Sequence, residues 1–116
     1  MPDVGRFEVW LANLNPQRGT EVGKVRPVLV VQSNLLNEVH PSTLICPITT
    51  NIIESAEVLR VRIAAGKAGL DSDSDVIIDQ IRAIDNKRLI ERVGMLPIAL
   101  RDKVKFNLKV VLDLGW

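Results

Sequence analysis

Cysteine and histidine occur once each in these 116 residues, tyrosine never, and aromatic residues make up only 3 %. The lone Cys46 excludes an internal disulfide and any cysteine-based structural zinc site. The lone His40 excludes an imidazole acid–base pair within one chain. Trp10 and Trp116 are too few and too far apart to make an interleaved stacking platform for RNA bases. No charge sign dominates, because 15 basic side chains face 14 acidic ones for a net charge of +1. A histone-like or polybasic membrane mode is thereby excluded, since nothing in the total attracts polyanions at long range. Long apolar runs are missing too: the stretch Pro27-Val28-Leu29-Val30-Val31 is far short of a membrane span. The opening Met1-Pro2-Asp3-Val4-Gly5 lacks the charged-then-apolar pattern of a signal peptide. A free thiol without an export signal points to the cytoplasm. No repeat, linker or low-complexity segment interrupts the chain.

What is present fits one globular domain over residues 1–116, with 47 % hydrophobic and 25 % charged residues. A chain of this size buries roughly 65 % of its unfolded surface, enough for a core without staples. Residues 6–13 alternate, with Phe7, Val9 and Leu11 on one face, and read as a first strand. Residues 14–24 hold two glycines, a proline and an asparagine, the make-up of a polar loop suited to carry function. Residues 25–32 read as a strand buried on both faces, and 43–49 as another, with Pro47 expected at an edge or bulge. Residues 57–63 alternate, with Val58, Arg60 and Arg62 opposite Leu59, Val61 and Ile63. A second polar loop spans Gly66 to Asp75. Residues 76–84 form the longest strand candidate, and 88–94 a short one.

The period then changes. Leu100, Val104, Leu108, Val111 and Leu112 recur at helical spacing, with Pro97 suited to the first turn and Gly115 to the end. Five to six strands followed by one helix, without βαβ alternation, predict an α+β fold. Its antiparallel sheet should curl into a small barrel.

Several residues could carry chemistry. Asp71, Asp73 and Asp75 resemble the opening of a calcium loop, but Val76 stands where the glycine is needed and the distal Glu is missing. A solvated turn is the expected role. Cys46, inside an apolar strand, reads as a buried structural thiol. Arg26 opens a buried strand straight after a polar loop, so its guanidinium either grips two phosphate oxygens or pairs with Glu21 or Asp79. Thr49-Thr50-Asn51 ends a strand with three hydrogen-bonding side chains, as a turn or cap would. Asp79 and Gln80 interrupt an apolar strand, and alternation sends them to opposite faces unless a bulge intervenes.

The same residues carry a family likeness. Glu8-Val9-Trp10-Leu11, then Gly19-Thr20-Glu21 through Arg26-Pro27-Val28-Leu29-Val30-Val31, resembles the start of the MazF/PemK (Kid) toxins. Cys46-Pro47-Ile48-Thr49-Thr50 resembles that family's second block. Asp79-Gln80-Ile81-Arg82-Ala83-Ile84-Asp85, with Arg88-Leu89 and Gly94, resembles its third. The resemblance implies a small SH3-like antiparallel barrel with a C-terminal helix, in a homodimeric toxin of a toxin–antitoxin pair. It implies a metal-independent endoribonuclease that needs no cofactor, cuts single-stranded RNA at short sequences, and is blocked by a MazE-like antitoxin tail. Cleavage would leave a 2′,3′-cyclic phosphate. The family's essential arginine falls on Arg26 and its essential threonine on Thr49. Gly19, Thr20, Glu21, Thr50, Asp79 and Gln80 fall where the family lines its RNA site. The Kid branch has a histidine in place of Thr20 and an arginine in place of Ile77, so the likeness points to the MazF-like branch. The rival expectations are a CcdB-like toxin that binds DNA gyrase and cleaves nothing, and a degenerate member that only binds its antitoxin.

Overall fold

Strand β1 (Glu8–Asn13) lies between β2 (Val25–Val30) and β7 (Leu89–Met95), and β3 (Ser42–Thr49) lies on the other side of β2. β4 (Arg60–Ile63), β5 (Ser74–Ile77) and β6 (Arg82–Asp85) complete the sheet, and helix α1 (Ile98–Leu112) ends the fold. This computed structural model describes residues 3–37, 39–56 and 58–115. Trp116 and the first residue of the 57–63 alternation therefore lie outside the described residues. Every pairing is antiparallel and the order is β4-β5-β3-β2-β1-β7, with β6 also pairing β3. The α+β class is as expected. The hydrogen-bonded ladder stays open, with β4 and β7 at its two ends, so the barrel is not closed. Among the described residues no helix is long and apolar enough to cross a membrane.

The doubly apolar β2 explains the layering. Leu29 and Val31 join a cluster with Val9, Cys46, Ile48, Val61 and Val76 on one face. Val28 and Val30 join Trp10, Leu14, Ile45 and Ile84 on the other. Helix α1 covers the first cluster through fully buried Val104, with Leu100, Leu108 and Val111 packed beside it. Leu112, expected on the same stripe, is 46 % exposed, because the apolar stripe drifts off the sheet in the last turn. Pro97 sits immediately before the helix, where its missing N–H costs nothing. The helix ends at Asp113 rather than Gly115. Asp113 takes the left-handed conformation (φ 54°, ψ 51°), and the Leu114 N–H closes back on the Lys109 carbonyl at 3.0 Å.

The segment 76–84, which alternation reads as one strand, is two strands separated by a 3-10 turn at Ile78–Gln80. Ile48 of β3 pairs with Val76 while Ile45 pairs with Arg82. Three residues on β3 thus oppose six on the neighbouring chain, and the surplus forms the turn. Pro47 lies at this break. Successive N–H groups of a strand face alternate edges. The Leu44 carbonyl accepts from Val31 on the β2 side, so position 47 faces the β5–β6 side, where no ladder bond is required.

Elsewhere backbones approach closely. A Cβ on Gly94 would lie 2.1 Å from the Ala68 carbonyl oxygen, so β7 can cross the 67–70 turn only at glycine. Gly94→Ala is expected to lower unfolding free energy by about 1–3 kcal/mol or more through overpacking. Urea denaturation checks this, and an unchanged midpoint would contradict the packing described here.

Candidate functional site

The ends of β2, β3 and β5 meet the 14–24 loop around an open cleft of about 790 Å³. Of the residues singled out in the sequence, Thr20, Glu21, Arg26, Thr49, Thr50, Asp79 and Gln80 all line it. Gly19 does not; it sits at the exposed loop tip with φ +57° and nothing within 4 Å of a would-be Cβ. Asp79 and Gln80, expected on opposite faces unless the strand is interrupted, share the cleft because a 3-10 turn interrupts it there. Lys24 and Arg60 also line it, as does Asn51, which the sequence set beside Thr49 and Thr50 as part of a turn or cap. Arg60 was visible as the polar member of an alternating strand. Its place in the cleft depends on β4 pairing with β5, where Arg60 lies opposite Ile77.

The loop is tied down at several points. Gln80 spends both ends of its amide on it: Nε2 donates to the Thr20 carbonyl at 2.8 Å, and Oε1 accepts from the Val22 N–H at 3.0 Å. At the loop base, the Leu14 N–H donates to the Lys24 carbonyl and the Lys24 N–H to Asn15 Oδ1, each at 2.8 Å. Gly23 is required by contact, since a Cβ there would come within 2.6 Å of the Gln17 Cβ. Gln80 thus holds the loop that roofs one side of the cleft.

Arg26 is half-buried, and its Nε donates to the Gly23 carbonyl at 2.8 Å. It makes no ion pair among the described residues, so neither Glu21 nor Asp79 neutralises it. Burial lowers its pKa from the usual value, and no carboxylate offsets that loss. A guanidinium always charged near neutrality, part-stripped of water and with terminal nitrogens that bond none of the described residues, gains most from an anion that restores its hydrogen bonds. Thr49 ends β3 half-buried, and its Oγ1 accepts from the Asn51 N–H at 3.1 Å. That bond uses the oxygen and leaves the hydroxyl proton available to donate.

The three alternate aspartates separate. Asp75, only 1 % exposed, accepts from Arg62 Nε at 2.6 Å and from Arg60 Nη1 at 3.4 Å. The hydrogen bond to Asp75 raises the Arg62 pKa. Asp73 accepts from the Ala65 N–H at 2.8 Å, a turn role, and Asp71 is exposed.

Cys46 lies buried in β3, as its apolar surroundings suggested. Burial, with a further push from the Asp79 charge, raises its pKa from 9.0 to about 12. The folded protein therefore keeps this proton where the unfolded chain loses it. The associated stability is full below about pH 9 and declines as pH rises toward about 12. At pH 8 a disulfide reagent such as DTNB is expected to label Cys46 only on unfolding, in step with loss of circular dichroism. Rapid stoichiometric labelling of the native protein would contradict this placement.

A family model described as PemK-like, MazF-like toxin of type II toxin–antitoxin system matches residues 5–112. The chain is 37 % identical over 111 residues to endoribonuclease EndoA of Bacillus subtilis, covering 96 % of each. It is 35 % identical over 112 residues to endoribonuclease MazF of Staphylococcus epidermidis, covering 97 % of this chain and 93 % of that one. Its fold overlays on the crystal structure of MazF from Deinococcus radiodurans with a TM-score of 0.79 at 26 % identity, covering 97 % and 96 % of the two chains. The open antiparallel sheet, its C-terminal helix and these matches along nearly the whole length agree, and the chain belongs to the PemK-like, MazF-like toxin family of type II toxin–antitoxin systems.

Proposed function

We propose that this chain is an endoribonuclease toxin that cuts single-stranded RNA in its cleft and is neutralised by a MazE-like antitoxin. The observation that carries the reading is Arg26, half-buried and without an ion pair among the described residues, in one cleft with the Thr49 hydroxyl. The nucleophile is the RNA's own 2′-hydroxyl. Its oxygen forms a bond to the adjacent phosphorus and loses its proton, while the bond from phosphorus to the 5′-oxygen breaks and that oxygen gains a proton. The products are a 2′,3′-cyclic phosphate and a 5′-hydroxyl end. No protein nucleophile is needed, so the work is orientation and charge stabilisation. Arg26 holds the oxygens of the crowded phosphorane, and Thr49 donates to the phosphate or fixes the 2′-hydroxyl. Thr20, Glu21, Thr50 and Asp79 contact the flanking nucleotides, and Gln80 keeps the loop in place.

The protein works in the cytoplasm as a two-fold dimer, and one domain covers residues 1–116. Apolar side chains left exposed on the helix, such as Ile98 at 79 % and Leu112 at 46 %, support pairing of two copies. The antitoxin presents an acidic, apolar segment to the cleft cations. Its binding weakens as salt screens rim charges, and an excess of it stops cleavage.

Purified protein incubated with RNA, followed by end sequencing, tests the reading. Arg26→Ala is expected to lower the cleavage rate about 10²–10³-fold, the usual loss of one preorganised charged donor. Thr49→Ala should fall comparably, whereas Thr49→Ser keeps part of the rate because it keeps the hydroxyl. Circular dichroism and sizing must first show that the variants fold as dimers. A well-folded Arg26→Ala protein at full activity would refute the site. Wild-type protein that poisons gyrase but cuts no RNA would refute the reaction.

A further inference from the structure

The wall of the cleft after β3 has no regular secondary structure. Asn51, Ile53 and Glu54 are exposed, yet three tethers from β4 and β5 hold the segment. Arg60 Nη1 donates to the Asn51 carbonyl at 3.1 Å. Asp75 Oδ2 accepts from the Ile53 N–H at 3.3 Å. Arg62 Nη2 lies 3.5 Å from Glu54 Oε2. All three meet at Asp75, which is buried beneath them and bonded to both arginines. The Asn51 residue whose carbonyl Arg60 fixes is the one whose N–H fixes Thr49 Oγ1.

We propose that Asp75 and Arg60 are a positioning pair for the reaction: through Asn51 they set the direction in which Thr49 presents its hydroxyl. The inference rests on the endoribonuclease reading above and concerns residues that do not themselves touch the reacting atoms. Two physical points favour it over a merely stabilising role. A buried ion pair recovers little more than its own desolvation cost, so an apolar pair of similar volume would stabilise the sheet as well. The tethers also end on the one irregular segment that adjoins Thr49. A hydroxyl bonded to a backbone N–H can donate only along the directions that bond leaves open, so a shift of Asn51 re-aims it. Misplacement of about 1 Å in such a site can cost about 10² in rate.

A double-mutant cycle in single-turnover kinetics tests the pair, using an RNA that the wild-type protein cuts. Arg60→Met is expected to slow cleavage roughly 10- to 100-fold, with little change in binding to an uncleavable 2′-deoxy RNA. In a Thr49→Ala background the same substitution should cost less than about threefold, because the hydroxyl it positions is gone. Equal losses in both backgrounds, or a loss confined to binding, would overturn the proposal. Should Arg60→Met fail to fold, Arg60→Lys enters the same cycle, since a lysine is one atom shorter and its ammonium falls short of the Nη1 position that bonds both acceptors. A readout without substrate separates failure of the positioning from failure of the RNA reading. Amide exchange at Asn51 and Ile53 should quicken by about tenfold or more in the Arg60 variant while β1 and β2 are unchanged. Unaltered exchange at both amides overturns the pair whatever the protein does to RNA.

Discussion

Strand β3 shares one edge between β5 and β6, and the three residues left over between these partners make the turn at Ile78–Gln80. The rest of the cleft depends on that offset. It turns Asp79 and Gln80 to the same side as Thr49, at the end of β3. Gln80 then reaches across to the Thr20 carbonyl and the Val22 N–H, about sixty residues away in sequence. The loop so held contains Gly23, whose carbonyl anchors Arg26. Continuous pairing of 76–84 with β3 would send Asp79 and Gln80 to opposite faces. The loop would lose both amide bonds, and the arginine its fixed neighbour.

Charge is distributed unevenly over this frame. Arg60 and Arg62 are satisfied by the buried Asp75, so their positive charge is spent on structure. Among the described residues Arg26 has one backbone partner and no carboxylate. The contrast decides which cation is available to a phosphate. An anion gains little from a guanidinium already paired, and much from one that burial has partly dehydrated. A net charge near zero over the chain is compatible with RNA binding on this account, because local geometry rather than long-range attraction selects the site.

Much of this was legible in the sequence. Alternation and apolar runs placed the strands, helical spacing placed α1, and the motif blocks named Arg26 and Thr49, which lie in one cleft. The parts that were not legible share a cause. A single strand pattern carries no record of which partner each residue pairs with, so Asp79 and Gln80 could signal an interruption but not that a 3-10 turn at Ile78–Gln80 divides the run between two strands. For the same reason Asp75 read as one of three solvated aspartates, although pairing with β4 sets it beside two arginines. Arg60 was hidden likewise. The helix end moved from Gly115 to Asp113 because an aspartate tolerates the left-handed conformation well enough to cap before the glycine is reached. Pro47 shows the reverse, where the absence of a donor correctly announced an irregular edge.

The central claim is that the chain supplies charge and orientation while the substrate supplies the nucleophile. The most direct test is an RNA identical to a cleaved sequence except for hydrogen in place of the 2′-hydroxyl at the cut position. The account predicts that wild-type protein binds this RNA with nearly unchanged affinity and does not cut it, with or without a chelator. Cleavage of the 2′-deoxy bond at a rate near that of the all-ribose RNA would contradict it.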